Sequence, residues 1–331
     1  MRRVEWLAAP DDLALLPTPG DWPGVDAEAI ARQAPDASVV MREPRGELVA
    51  RASVWWRRQP RPGVGVIGHY GARDDAAGTA VLRAATARLA DAGCTYAIGP
   101  MDGTTWERYR LALPGSDAPP FLLEPVQPPA WPAHWLATGF DVLERYRSDR
   151  APLAVLEARE PEAVAARLDA AGVTITSFAD HAPSEVIDAI HAVSIGAFAA
   201  APWFTPVAAA TLGRQYAPVV PLADPAFVQL AWHGGAPAGF VFAVPDLLEA
   251  RRTGRPPATL VLKTVAVRPG VRALAGLGGL LLARVAANAR ARGMHDGIHA
   301  LMRDDNAKAR AFGAGAATTI RRYALYGRPL A

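Results

Sequence analysis

Cysteine and lysine are nearly missing from this chain. Its one cysteine, Cys94, excludes an intrachain disulfide and a cysteine-built metal cluster. A reducing, cytoplasmic location is the expectation, with no metal. Only two of the 35 basic residues are lysines, Lys263 and Lys308. Arginines and acids interleave and no long block of one sign occurs, so there is no basic stripe of the kind nucleic acid requires. No stretch approaches the ~18 uncharged apolar residues of a membrane span. The basic start MRRVEWLAAPDDLALLP breaks at Pro10-Asp11-Asp12 before an apolar signal region forms. The expectation is therefore no nucleic acid, no membrane and no export signal. What is present is 51% hydrophobic and 20% charged residues over 331 positions, enough for two ordinary soluble domains with their own cores.

The second half reads as a strand over 173–178 and a helix over 183–198. Two apolar runs, 227–235 and 236–244, meet at Gly234-Gly235, a hairpin signal. A long β-branched strand follows over 258–267, ended by Arg268-Pro269-Gly270. Then come a glycine-rich stretch, a helix stopped by Gly293, a strand over 297–302, a helix over 304–312 and a closing strand or hairpin over 318–327. The first half repeats this order. It has a strand–turn–strand over 38–56, a strand over 64–72, a helix over 77–93 stopped by Gly93 and a strand over 94–99. A short helix over 104–113 and a closing strand over 139–148 complete it. Gly93 and Gly293 lie 200 residues apart, and the strands before them keep that offset. A duplicated unit explains this, with two unrelated α/β modules as the alternative. The boundary is placed near Arg150, giving domains 1–150 and 151–331. Between the helices and closing strand of the first half, the proline-aromatic segment 119–135 cannot hold a central strand and reads as an ordered loop lying over something.

The stretch Val271-Arg-Ala-Leu-Ala-Gly-Leu-Gly-Gly-Leu-Leu281 carries the functional question. A helix start leaves four backbone N–H groups unpaired and bears partial positive charge, which suits a phosphate. Glycine lets that backbone approach a ligand closely. The alternative is tight helix–strand packing with no ligand.

In LKTVAVRPGVRALAGLGGLLLARV and ALMRDDNAKARAF, and in element order over roughly 173–327, the second half resembles the GNAT acetyltransferases. The family's R/Q-x-x-G-x-G/A loop appears as Arg272-Ala-Leu-Ala-Gly276-Leu-Gly278, with one residue more between the arginine and the first glycine. The first half resembles the family in strand order. The resemblance implies a fold of α/β (α+β mixed-sheet) class with two tandem GNAT-like acyl-CoA acyltransferase domains. It implies acetyl-CoA as acyl donor, held by Val265, Ala266 and Val267 of the fourth strand, by Arg272, Ala273, Ala275, Gly276, Leu277, Gly278 and Gly279 of the loop, and by Asn306. In the first half the equivalent turn is GARDDAAGTAVL. Asp74 and Asp75 there would repel a diphosphate, so this half is expected to lack a coenzyme loop and to use its acids as helix caps.

Acyl transfer needs a proton removed from the acceptor amine, a polarised thioester and an acid for the leaving thiolate. Many family members carry a tyrosine seven residues beyond the asparagine; that position is Gly313. Tyr323, Tyr326 and His299 are the catalytic candidates that remain, each with packing as its alternative. Trp203, Phe204, Asp102 and Trp106 are the candidates for an acceptor pocket between the halves. The expected function is an acyl-CoA-dependent, acetyl-CoA-using N-acyltransferase acting on a small-molecule amine, as a monomer or weak homodimer. The alternative is a non-catalytic acyl-CoA-binding sensor or scaffold of the same fold.

Overall fold

The computed structural model describes residues 2–157, 162–306 and 315–330. Its strands are β1 (Arg3–Trp6), β2 (Ala37–Arg42), β3 (Leu48–Trp55), β4 (Val64–Ala72), β5 (Tyr96–Gly99), β6 (Leu111–Ala112), β7 (Asp141–Pro152), β8 (Val173–Ser177), β9 (Val228–His233), β10 (Ala236–Pro245), β11 (Thr259–Val267), β12 (Asp296–Arg303) and β13 (Thr318–Pro329). The helices are α1 (Ala27–Gln33), α2 (Asp75–Asp91), α3 (Trp131–Ala137), α4 (Leu153–Glu157), α5 (Glu162–Ala170), α6 (Pro183–Phe198), α7 (Ala209–Tyr216), α8 (Leu247–Thr253) and α9 (Leu277–Ala291).

Each half builds an antiparallel meander that ends in one parallel pair. In the second half β8, β9, β10 and β11 run antiparallel, and β12 returns parallel to β11 after the α9 crossover. The β9–β10 hairpin turns on Gly234 and Gly235, with φ of +60° and +75°, as a two-residue turn with both centres left-handed requires. In the first half β1 to β4 run antiparallel and β5 is parallel to β4 after α2. Amphipathic helices close the cores. Val81, Leu82, Ala85 and Leu89 of α2 are buried on the first half. Leu277, Leu280, Leu281 and Val285 of α9 cover the second, and Val186, Ala189 and Val193 of α6 join a third cluster with Phe240, Phe242 and Val261.

All the described strands join one sheet in the order β1-β2-β3-β4-β5-β13-β7-β12-β11-β10-β9-β8, with β6 paired to β13. The last strand of each half therefore crosses over. β13, at the end of the chain, lies against β5 of the first half, while β7, expected to close the first half, lies against β12 of the second. β7 and β13 pair with each other along most of their length. The two halves share a central pair of strands, and neither half's part of the sheet is complete without it.

Two local expectations change. Residues 104–113 form no helix. Gly103 and Arg110 take φ of +85° and +68°, and Met101 bridges Tyr109, so the segment folds back on itself and ends in β6. The proline-aromatic segment 119–135 spans both halves: residues 121–124 lie over the second, while Trp131 and Trp135 join the first half's core. Phe121 joins the α6-side core, and Trp131 and Pro132 start α3, where proline at the first positions costs no hydrogen bond. The helix expected over 304–312 lies mostly outside the described residues.

Candidate functional site

The site begins where two strands part. β11 and β12 pair from Thr259–Asp296 to Leu262–His299 and no further. At that point β11 carries a bulge. Leu262 pairs with Ala243 and Thr264 with Phe242, which leaves Lys263 as the extra residue. On β12, Leu301 has φ of +61°, and its N–H donates to Ser148 Oγ at 3.0 Å rather than to β11. Beyond the bulge Val265, Ala266 and Val267 are paired with β10, and among the described residues no strand pairs with their other side. The result is a wedge in the sheet, flanked by exposable backbone amides and carbonyls.

The wedge opens toward the start of α9. After β11, residues Arg272–Leu274 make one 3-10 turn, and Gly276 enters α9 with φ of +83°. Glycine is required at 276, because that backbone is left-handed and a Cβ would lie 2.8 Å from Val164 Cγ1 of α5. From α5, Arg167 donates to the carbonyl of Ala273 at 3.1 Å and to that of Ala275. Packing makes no such demand at the next two glycines. A Cβ on Gly278 would stand 3.6 Å from Val267, an ordinary contact, and one on Gly279 would meet none of the described residues within 4 Å. Gly279 is exposed, and its N–H, like those of Leu277 and Gly278, belongs to the first helical turn and has no intrahelical acceptor. The helix start thus presents unpaired donors, partial positive charge and open space, which fits an approaching diphosphate.

The corresponding wedge of the first half is filled by its own chain. A Cβ on Gly68 of β4 would fall 2.1 Å from the Met101 carbonyl oxygen, so segment 99–102 lies directly on β4. Asp102 Oδ1 accepts the N–H of His69 at 2.6 Å, and its other oxygen pairs with Arg108 at 2.9 Å. The His69 ring is bonded to Ser53 Oγ (2.9 Å) and Gln33 Oε1 (2.6 Å). Burial holds its pKa down to about 4, so the ring is neutral. The start of α2 is covered too. Asp74 caps it through the N–H of Ala77, as the sequence predicts, while Asp75 meets His134 Nε2 at 2.9 Å. Trp131 donates to the carbonyl of Ala72 at 2.9 Å. α3 therefore sits where a phosphate-binding helix start would need open space.

No family model and no curated protein matches this chain. Solved structures do. A tandem GNAT protein from the clavulanic acid biosynthesis pathway superposes with a TM-score of 0.53 at 18% identity, over 100% of this chain and 99% of that one. A probable N-acyltransferase from Enterococcus faecalis V583 gives 0.58 at 12% identity, over 100% of this chain and 73% of that one. The glucosamine N-acetyltransferase region of a fungal multi-domain β-N-acetylglucosaminidase gives 0.53 at 15% identity; there the match covers 99% of this chain and 38% of the other. The chain has the GNAT fold, in tandem.

Within that GNAT frame the expected site residues separate into groups. Val265, Ala266 and Val267 line the wedge, and Arg272, Ala273, Ala275, Gly276, Leu277, Gly278 and Gly279 form the turn into α9. Leu277 is buried as its anchor, and Arg272, Ala275 and Gly276 are exposed. Asn306 is exposed in the turn after β12, where its N–H donates to the Arg303 carbonyl at 3.2 Å. His299 is the last paired residue before the wedge, and burial lowers its pKa to about 4. The two tyrosines, three residues apart on β13, face opposite sides of the sheet. Tyr326 stacks on Trp135 at 5.9 Å in the first half's core, with burial pushing its pKa up to about 12, and so it belongs to packing. Tyr323 has no exposed surface; its hydroxyl donates to Glu124 and lies 3.0 Å from Ser148 Oγ.

The structure joins Trp106 to Phe204 at 5.6 Å, and Trp106 Nε1 donates to the Thr205 carbonyl at 2.8 Å. Trp203 packs with Trp55 and Met101, its ring beneath the Arg61 guanidinium at 4.5 Å. Asp102 does not belong with them, since both its carboxylate oxygens are engaged inside the first half.

Sequence reasoning missed the polar group on the α6 side of the wedge. The loop Phe121–Glu124 reaches over β11 from the first half. Lys263 Nζ donates to the Leu123 carbonyl at 3.0 Å. Glu124, its side chain 2% exposed, accepts from Arg321 Nε at 3.1 Å and from the Tyr323 hydroxyl. Arg110 donates to the carbonyl of Leu301 at 3.0 Å. A hydrogen-bonded line results, from the Leu301 N–H through Ser148 and Tyr323 to Glu124. Lys263 keeps some exposed surface, but its amine is enclosed by protein. That burial, with Arg110 nearby, holds its pKa down to about 7, against the opposing charge of Glu124. Among the described residues no group of His, Cys, Asp or Glu is placed to hold a metal ion, and no helix is long and apolar enough to cross a membrane.

Proposed function

We propose that the protein is an acyl-CoA-dependent N-acyltransferase whose donor binds in the second half only. One observation carries the reading: Gly278 and Gly279 open the start of α9 although, among the described residues, nothing in the packing asks for glycine there. The N–H groups of Leu277, Gly278 and Gly279 would hold the diphosphate, and Arg272 is exposed beside them. The backbone of Val265–Val267, unpaired toward β12, would hold the pantetheine and thioester. When bound, the coenzyme supplies an activated acyl group. The chain supplies position and proton handling. Glu124 is a buried carboxylate beside the wedge, and Tyr323 and Ser148 link it to the Leu301 amide, so a proton can be held at Glu124 and relayed through the two hydroxyls. Trp106, Phe204 and Trp203 supply apolar walls where the halves meet, suited to a small amine. The first half, with its wedge filled by Met101–Asp102, is a scaffold that lends Glu124 and Arg110 to the site. The cytoplasmic location and the acetyl group as the transferred acyl unit belong to this proposal, as does the division into domains 1–150 and 151–331.

A second reading, acyl-CoA binding without turnover, is favoured by the loop Phe121–Glu124, which covers the α6 side and hydrogen-bonds Lys263. Both predict binding and only one predicts release of coenzyme A. The test is thiol release from acetyl-CoA across a panel of primary amines, with Cys94 buried and so a small background. Amine-dependent release supports the transferase; micromolar binding without release for any amine supports the sensor; absence of binding overturns both.

A further inference from the structure

Lys263 stands apart in this chain. Arginine fills almost every basic position, yet a lysine sits on the β11 bulge at the apex of the wedge. β11 sends Leu260, Leu262, Val265 and Val267 to the α9-side core, and Val261 and Ala266 to the α6-side core. The Lys263 amine lies on the α6 side, against Leu123. The donor loop at the start of α9 is on the opposite side. A group threaded from that loop through the wedge would emerge next to this amine. The bulge is two residues from Val265, about 7 Å along a strand, a span that a lysine side chain covers.

We propose that Lys263 is an internal acyl acceptor, a site at which the protein acylates itself from its bound acyl-CoA. The inference rests on the donor site proposed above. In the step, the neutral Nζ attacks the thioester carbon. A C–N bond forms, the C–S bond breaks, and the amine's proton leaves with the sulfur as the free coenzyme thiol, giving an Nε-acyl-lysine with no other reactant. The surroundings suit this. The amine is enclosed, Arg110 disfavours its protonated form, and the Leu123 carbonyl holds it in place at 3.0 Å. An arginine could not serve, since a guanidinium stays protonated. Acylation would also remove the charge that faces Glu124 and Leu123, and so change how the loop Phe121–Glu124 is held.

Two lysines make the test clean. The whole chain is incubated with acetyl-CoA at neutral pH, and acylation is read by intact mass and by a missed tryptic cleavage at Lys263, with calorimetry reporting donor binding on the same sample. The expected result is one acetyl group, on Lys263 and not on Lys308, absent from Lys263→Met and lost in Gly278→Glu, which blocks the donor loop. Lys263→Arg serves as a second variant if the methionine form does not fold. Bound acetyl-CoA with an unmodified Lys263 overturns the proposal while leaving the donor site intact. Equal modification in Gly278→Glu also overturns it, because the chemistry is then independent of the site. Failure of wild type to bind acetyl-CoA removes the donor site itself and this inference with it.

Discussion

Replacing Gly279 by alanine separates a packing glycine from a ligand-binding one. A Cβ at this position meets no atom of the described residues within 4 Å, so the methyl group fits without strain. Alanine loses less backbone entropy than glycine on entering a helix, a gain of roughly 0.5–1 kcal/mol. Spread over a chain of 331 residues that unfolds as one unit, this raises Tm by only about 1 °C, which calorimetry resolves. Donor binding should move the other way. The methyl group would stand between the first-turn amides and the diphosphate and lengthen one or two charge-assisted hydrogen bonds. Each is worth about 1.5–3 kcal/mol, so acetyl-CoA should bind roughly 10- to 100-fold more weakly. Scanning calorimetry and isothermal titration on the same preparation give both numbers. A variant that is more stable yet binds acetyl-CoA with unchanged affinity refutes the loop's role. A destabilised variant would instead make Gly279 a packing residue.

Three more outcomes follow from the geometry. Tyr323→Phe takes a donor from buried Glu124 and should cost about 1–3 kcal/mol, whereas Tyr326→Phe, in a stacked core position, should cost less in the same denaturant titration. His69 and His299 have folded pKa values near 4 against an ordinary 6.5. Below pH 6.5 the unfolded chain takes up protons that the folded chain refuses, so stability should fall between pH 6.5 and 4 by up to about 1.4 kcal/mol per pH unit for each histidine; His69→Gln should reduce that slope, and a flat profile would contradict the burial argument. Because β13 completes the first half and β7 the second, thermal unfolding should show one transition, and residues 1–152 alone should not fold; two separated transitions would contradict the shared sheet.

Local chemistry was legible in the sequence, and long-range pairing was not. The left-handed turn at Gly234-Gly235, the Asp74 cap and the glycine entry to α9 each depend on a few adjacent residues, and each stands where the pattern puts it. Residues 139–148 and 318–327 read as strands, but alternation says nothing about which strand lies alongside, so their exchange between the halves was hidden. Tyr323 and Tyr326, three residues apart on β13, face opposite sides of the sheet as strand alternation requires, and so end in different cores. Glu124 sat inside a proline-rich run with no periodicity. Its partner Arg321 is 197 residues away, and the Lys263–Leu123 contact spans 140. The helix expected at 104–113 failed because, with positive φ at Gly103 and Arg110, the segment folds back onto residues 100–102, which a helical pattern cannot register.

The central claim is that a coenzyme binds at the second wedge and not at the first. Backbone hydrogen exchange, with and without saturating acetyl-CoA, tests it most directly. The account predicts slowed exchange at 276–279 and 265–267 and no change at 72–78. Unchanged exchange at 276–279, or protection at the start of α2 instead, would contradict it.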